Sequence, residues 1–485
     1  MQQFILPVFA GLCFAASVFA ADSEDRPIPQ DPQWTKMRET ISLPWNRKTL
    51  VEAYNKVGKK DPRWDEPARK ALEVAARYFT PHVHLGVKIE EIYVPAKQAV
   101  DAGCDDPLIL YLYARSSYNA NHPGRKELEQ RYLAAANGMK RSSYPPLRRI
   151  AAFKKAAEVM ASRKDLSPQE RQDAIDLLDR ALALLPVSLK QDERNFDTDC
   201  QQSELPIEVV ETLRKLNGDY QAAFDHVDAI LSKADLKIKR LQTTLKAIRL
   251  QTRGIFLIRS GWEARGSGFA NTVTEEGWKT FSERLTEARK VLNESWELKP
   301  NDYRTANYML MVEKGIGGDR DEMDKWFERA MKAFPMNKQA CEQKLDWLDP
   351  KWHGSLEDLM AFGRACRDTK NWEGGLTLQL ADAHFRACLH MPKEERIKYL
   401  HSQEVRDDIQ RVYEEYLKHF PSNNGERSRY AAYCFVCGLY TESDKQFKIL
   451  GKNLHYFHRW PKKWMEQARA YAAEQAAKEK EKPAK

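Results

Sequence analysis

The chain has 485 residues, of which 31% are charged and 42% hydrophobic, and its formal net charge is +8 at pH 7. With 22 Gly and 10% aromatic residues, the composition disfavours a turn-rich β protein and excludes wholesale disorder. Basic and acidic residues are interspersed, without the basic stripe interleaved with aromatics that is typical of nucleic-acid binding, so no nucleic-acid partner is expected. High charge with a modest apolar fraction favours a helical-repeat array, which exposes much surface per residue.

The first twenty residues have the pattern of an export signal. A largely apolar stretch runs from Phe4 to Ala16, and small residues precede Ala21. This pattern predicts a secretory signal peptide over residues 1–20, cleaved before Ala21. The alternative, an uncleaved anchor, would need about 20 apolar residues and stronger flanking charge. We therefore expect an exported protein, periplasmic or extracellular, with no transmembrane segment in its mature form.

The remaining chain divides by composition and pattern. Residues 21–48 are polar and proline-containing, which predicts an irregular N-terminal arm. Residues 49–260 and 261–460 carry apolar residues at helical spacing, bounded by Gly, Pro or Asp, and predict two successive helical-repeat regions. Residues 461–485 predict a basic tail, a solvated amphipathic helix that frays into a disordered end, and contact with an acidic surface is the alternative. No convincing alternating strand pattern occurs, so the predicted fold class is all-α.

One residue spacing recurs along the chain. It consists of a small or apolar residue, an apolar residue four positions later, usually a small residue after three more, and Pro at the end. The four copies that end in Pro are Ala174–Pro186, Ala288–Pro300, Met323–Pro335 and Ile409–Pro421. The second and third copies begin 35 residues apart, and a partial copy from Ser443 follows the fourth by 34, close to the ~34 residues of tetratricopeptide repeats.

This spacing has a structural explanation. Small residues allow the neighbouring helix to approach closely, the larger residue between them fills the groove, and Pro is expected to end the helix. The sequence Gly218-Asp219-Tyr220 supplies a matching turn between helices. We predict an irregular tetratricopeptide-like α-solenoid with a concave face. The copies do not keep one period throughout, so inserted helices are also expected.

Several segments resemble those of a family of exported bacterial proteins that carry a tetratricopeptide-like domain of unknown function. The segments that carry the resemblance are 61–66 (DPRWDE), 106–115 (DPLILYLYAR), 266–278 (GSGFANTVTEEGW) and 349–355 (DPKWHGS). The resemblance spans most of the mature chain. It implies an all-helical repeat fold and export, and it brings no catalytic residue to assign.

Two histidine-containing groups are candidate metal sites. His82 and His84 form an HxH pair beside Pro81, without a third ligand nearby in sequence. His384 and Cys388 share a helix face, whereas His390 does not, so three ligands do not converge. A structural turn and ordinary helix packing are the favoured interpretations, and we predict no metal and no cofactor.

Two further motifs are explained by helix structure. Cys434 and Cys437 match CxxC, but they lie in a helical pattern, where i and i+3 Cβ atoms are about 5–6 Å apart and too distant for a disulfide. We interpret them as small core residues rather than as redox or zinc ligands. The segment Thr272–Glu275 predicts a capping box that opens a long helix ending at Leu298.

Tryptophans are concentrated in the middle of the chain and are expected mainly in the core between repeats. The alternative is an exposed binding platform, for which the candidate residues are Trp262, Arg265, Trp352 and His353, the last three in loops. The leading hypothesis is a non-enzymatic exported scaffold that binds a protein or peptide on a concave helical surface. Glycan binding is an alternative, and a helical-toroid polysaccharide hydrolase or lyase is a third. No catalytic residue is assigned.

Overall fold

The computed structural model describes residues 38–80, 87–121, 123–191, 201–268, 270–317 and 319–480. Within these ranges every regular element is a helix and no strand occurs. The described residues divide into two compact units, the first ending at Ile316 and the second beginning at Gly317. The predicted all-α fold class is confirmed. The predicted signal peptide and the pair His82 and His84 lie outside the described residues.

The first unit begins with what we term the N-terminal helical stretch, residues 38–57, in which π-helical and α-helical turns alternate. The labelled helices that follow it in this unit are α1 (Asp65–Tyr78), α2 (Glu90–Asp101), α3 (Pro107–Asn121), α4 (Arg125–Lys140), α5 (Pro146–Ala161), α6 (Pro168–Gln191), α7 (Leu205–Asn217), α8 (Tyr220–Ser232), α9 (Lys239–Arg265), α10 (Glu275–Leu298) and α11 (Tyr303–Ile316). Most consecutive helices pack side by side across short connections, which produces antiparallel hairpins.

The second unit continues the same hairpin pattern. Its helices are α12 (Arg320–Ala333), α13 (Lys338–Leu348), α14 (Leu356–Asp368), α15 (Gln379–Leu389), α16 (Lys393–Leu400), α17 (Gln403–His419), α18 (Asn424–Val436), α19 (Tyr440–Leu450) and α20 (Lys462–Lys480). The pairs α13/α14, α15/α17 and α18/α19 pack as successive hairpins. The short helix α16 is inserted between the two helices of the middle pair. This insertion explains why the third and fourth sequence copies are not one or two repeat lengths apart.

The repeated positions found in the sequence are buried in the structure. The buried members are Ala174, Leu178, Ala181, Ala288, Leu292, Ser295, Met323, Phe327, Ala330, Ile409, Tyr413, Tyr416, Ser443, Phe447 and Leu450. The small side chains among the first and third positions are therefore buried, as predicted, and larger residues such as Met323 and Tyr416 are buried at the same positions in other copies. This burial confirms a tetratricopeptide-like array of helix hairpins.

The seam between α9 and α10 shows why small residues are required. A Cβ atom placed on Gly254 would lie 2.5 Å from Cγ of Leu292, so the backbone of α9 approaches α10 closely at this glycine. The Ser295 hydroxyl donates a 3.0 Å hydrogen bond to the carbonyl of Ala247 on the other helix. A small polar residue thus satisfies its own buried hydroxyl by bonding across the seam.

Helix ends agree in part with the sequence. Gly218 is left-handed with φ of 79°, and the Asp219 carboxylate accepts the amide hydrogen of Ala222, which forms the predicted turn into α8. The predicted capping box is wrong by two residues. The N-cap of α10 is Thr274, whose hydroxyl accepts the amide hydrogen of Gly277, and Thr272 belongs to a preceding 3-10 turn.

The prediction that each Pro ends its helix holds for three copies and is wrong for the first. Pro186 lies inside α6, which continues to Gln191. Leu185 and Leu189 on either side of it are buried. Continued apolar burial therefore outweighs the lost backbone hydrogen bond at Pro186.

The C-terminal helix α20 packs on α18 and α19. It buries Trp464, Met465, Ala468 and Ala472. In the described part of the chain, no helix combines the length and the apolar content that a membrane crossing would require.

A polar face on three helices as the candidate functional site

The predicted candidates Trp262 and Arg265 lie together at the end of α9. The Arg265 guanidinium carbon is 5.6 Å from the Trp262 ring centroid and 5.1 Å from that of Trp278. Arg265 was expected in a loop, but it is the last residue of α9, where its guanidinium also donates to the carbonyls of Gly266 and Gly268. Trp278 is 37% exposed. These contacts stabilise the turn that follows α9. A binding role for this group stays a prediction.

Trp352 and His353 lie together in the turn after α13, in the second unit. The His353 ring is exposed, with its centroid 5.1 Å from that of buried Trp347 and 6.4 Å from that of half-buried Trp352. The four predicted candidates thus form two local groups, Trp262 with Arg265 in the first unit and Trp352 with His353 in the second. Their proposed role as a platform for a peptide or glycan stays a prediction.

The histidines considered as ligands are engaged with carboxylates. His384 is buried between the Tyr399 hydroxyl, 2.8 Å from Nδ1, and Asp408 Oδ2, 3.1 Å from Nε2. His390 Nε2 lies 2.8 Å from Asp349 Oδ1. Among the described residues no cluster of three or more potential ligands is suited to a metal ion.

A set of charged side chains that the sequence did not single out lies on α13, α15 and α18. We call it the polar face, and it comprises Lys338, Glu342, Asp346, Asp382, Arg386, Glu426 and Arg429. On each helix these residues are three or four positions apart, which places them on one side. Local sequence fixes two helix starts, because the side chains of Asn337 and Asn423 cap α13 and α18. The i+4 charge spacing is the signal that could have revealed this face.

Ion pairs join the three helices across the polar face. Arg386 donates to Asp346 at 2.6 Å, linking α15 to α13. Lys338 Nζ lies 3.3 Å from Glu426 Oε1 and links α13 to α18. The ionised partners hold one another in place, so much of the face is ordered before any ligand arrives.

Asp382 is anchored from several directions. The Tyr433 hydroxyl donates to its Oδ1 at 2.7 Å, and Arg459 lies 3.0 Å from the same oxygen. Burial alone would raise the pKa of Asp382, but the Arg459 charge and the Tyr433 hydrogen bond hold that pKa below its usual value. The Arg459 guanidinium also stacks 4.2 Å from the centroid of the Phe385 ring. Asp382 is therefore ionised and fixed in position.

Glu342 differs from its neighbours on the polar face. Its side chain is exposed, and within the described ranges its carboxylate has neither a hydrogen bond nor an ion pair. Although the side chain is exposed at the surface, the surrounding helices reduce the hydration of its carboxylate, and this partial desolvation raises the pKa of Glu342 despite the attraction of Lys338. The polar face thus presents one accessible carboxylate among side chains that already have partners.

Comparisons with known proteins add little to this description. No family model and no curated protein matches the chain. One similar solved structure is described as Naa15/Naa10 bound to HypK-THB, with 10% identity, coverage of 93% of this chain and 97% of that chain, and a TM-score of 0.18. A TM-score this low supports no argument, so the fold assignment rests on the helices of the chain itself.

Proposed function

We propose that the protein is a helical-repeat scaffold whose polar face binds an extended segment of another protein. The observation that carries the proposal is the row of charged side chains on α13, α15 and α18, held by ion pairs between helices around one accessible carboxylate. Ordering the side chains in advance reduces the entropy cost of binding. A partner opposite Glu342 would carry a basic side chain, since an added cation there compensates the charge that the fold leaves without an ion pair.

Export is part of the proposal and is supported by the sequence of residues 1–20. Expression of the full chain in a bacterium, followed by mass measurement of the protein recovered from the cell envelope or medium, tests it. We expect a mature protein that begins at Ala21. Recovery of the full-length chain only from the cytosol would contradict export while leaving the scaffold proposal intact.

Site-specific photocrosslinking tests the binding face directly. A benzoylphenylalanine residue would replace Glu342 in one protein and Lys418 in a matched control, because Lys418 is exposed on α17 and does not belong to the polar face. Crosslinking in the cells that make the protein should give a discrete product from position 342 and none of that size from position 418. Equal products from both positions, or no product from position 342, would contradict the proposal.

A charge variant defines the role of Glu342 in this interaction. Once the partner is identified from the crosslink, we expect Glu342→Lys to weaken its binding at least tenfold, and Glu342→Gln to weaken it less. Both variants should retain the wild-type circular dichroism and melting temperature, because Glu342 has no partner within the described residues. Unchanged affinity in both variants would show that the partner binds elsewhere.

A further inference from the structure

A cavity of about 530 Å³ opens in the first unit. Three elements line it: the N-terminal helical stretch, the segment that leads into α5, and the end of α6. Trp45 and Val57 contribute apolar surface from the helical stretch, and Pro145 and Leu147 contribute it from the segment before and within α5. The volume lies within the range of about 300–1,000 Å³ that is usual for small-molecule sites.

The helical stretch adds charge to one side of the cavity. Lys48, Glu52 and Lys56 all line it, at successive i+4 positions. All three are exposed, and none has an ion pair or hydrogen bond among the described residues. These three side chains carry two positive charges and one negative charge, so their side of the cavity has a net positive charge.

A buried cation lies directly behind the cavity wall. Thr49 lines the cavity, and its hydroxyl accepts a 2.7 Å hydrogen bond from Nη2 of Arg148. Arg148 is 2% exposed and also donates to Oδ1 of Asn46 at 2.6 Å. The Arg148 hydrogen bond therefore fixes the Thr49 hydroxyl at the cavity wall.

We infer that this cavity binds an anionic amphiphile, a small molecule whose apolar body contacts Trp45, Pro145 and Leu147 and whose acidic group lies near Lys48 and Lys56. Charge complementarity selects the anion over a neutral or cationic ligand of the same shape. The site is independent of the polar face, which belongs to the other unit, so either proposal can fail without the other.

Two fluorescent probes with the same ring system distinguish the contribution of the ligand's charge to binding from the contribution of its apolar body. Anilinonaphthalene sulfonate is anionic, and phenylnaphthylamine is its counterpart without the sulfonate. Titration of the intact protein should give saturable binding of one sulfonate per chain, with energy transfer from tryptophan. We expect the double variant Lys48→Gln/Lys56→Gln to bind the sulfonate about tenfold more weakly and the neutral probe with unchanged affinity.

The matched control is Lys60→Gln/Lys70→Gln. It removes the same charge from two exposed lysines that do not line the cavity, and it should leave sulfonate affinity unchanged. Ser143 lines the cavity from its exposed edge, so Ser143→Phe should reduce binding of both probes by filling the space.

Three results would overturn the inference. The first is absence of saturable sulfonate binding to the intact chain, which would also be the result if another segment of the protein fills the cavity. The second is an equal loss of sulfonate affinity in the two lysine double variants, since this would indicate a general effect of net charge. The third is unchanged binding of both probes to a folded Ser143→Phe protein.

Discussion

Asp408 contacts His384 across the seam between α17 and α15, with 3.1 Å between Oδ2 and Nε2. Both residues are buried, and Arg367 Nη1 lies 3.6 Å from the other carboxylate oxygen. Burial opposes ionisation, but the His384 hydrogen bond and the Arg367 charge hold the pKa of Asp408 below its usual value of 3.8. The carboxylate therefore stabilises the native state when it is ionised.

Replacing Asp408 should produce a stability loss that depends on pH. We expect Asp408→Asn to lower the free energy of unfolding by about 1–3 kcal/mol near neutral pH, because a charge-assisted hydrogen bond inside the protein is lost. A carboxylate with a lowered native pKa stabilises fully above its unfolded pKa, and that contribution disappears as pH falls through the native pKa. Denaturant unfolding at several pH values should therefore show the two proteins converging below the ordinary aspartate range.

Asp407 provides the matched control for this measurement. It precedes Asp408 on α17 but is exposed, so Asp407→Asn should change stability by less than about 0.5 kcal/mol. A constant difference between Asp408→Asn and wild type at all pH values would show that the loss comes from packing rather than from ionisation.

The seam between α9 and α10 provides a test of the repeat architecture. Ala288 is fully buried there, and Ala264 is exposed near the end of α9. We expect Ala288→Leu to lower the free energy of unfolding by about 1–3 kcal/mol, since the added atoms must displace a packed neighbour. Ala264→Leu should be within about 0.5 kcal/mol of wild type. Comparable stability of the two variants in urea would contradict close packing at this seam.

The hairpin array could be predicted from the sequence because close helix packing requires small and apolar residues at fixed intervals along each helix. Ala288 and Ser295 could be identified as seam residues because their spacing recurs in four copies along the chain, without knowledge of the residues that they contact. The polar face could not be found in this way, because the ion pair between Lys338 and Glu426 joins residues 88 positions apart. Such a pair depends on how successive hairpins stack. The four predicted platform residues identified two local aromatic groups, whereas Glu342 gave no signal beyond its charge spacing.

Pro186 shows where a local rule fails. Its position inside α6 leaves one carbonyl of the preceding turn without its usual amide donor. We expect Pro186→Ala to raise the free energy of unfolding by about 1 kcal/mol, less than the ~3 kcal/mol of an unrelaxed proline, because the native helix has adapted to the ring. Pro300→Ala is the control, since Pro300 lies beyond the end of α10 and is exposed. It should lower stability slightly through the freer unfolded chain. A loss of stability in Pro186→Ala would indicate that the ring contributes packing that outweighs the restored hydrogen bond.

The buried thiols should be unreactive in the folded protein. Cys104, Cys341, Cys366, Cys388, Cys434 and Cys437 are buried, and no disulfide joins any two of these six. Burial raises the pKa of Cys437 to about 12 and that of Cys388 to about 11, so few thiolates form at ordinary pH. We expect these six thiols to remain unlabelled by an aromatic disulfide reagent at about pH 8 and to react fully in guanidinium chloride, as mapped by peptide mass. Rapid labelling of Cys434 or Cys437 in the native protein would instead support a redox role for the CxxC motif, since an attacking cysteine must be both accessible and ionised.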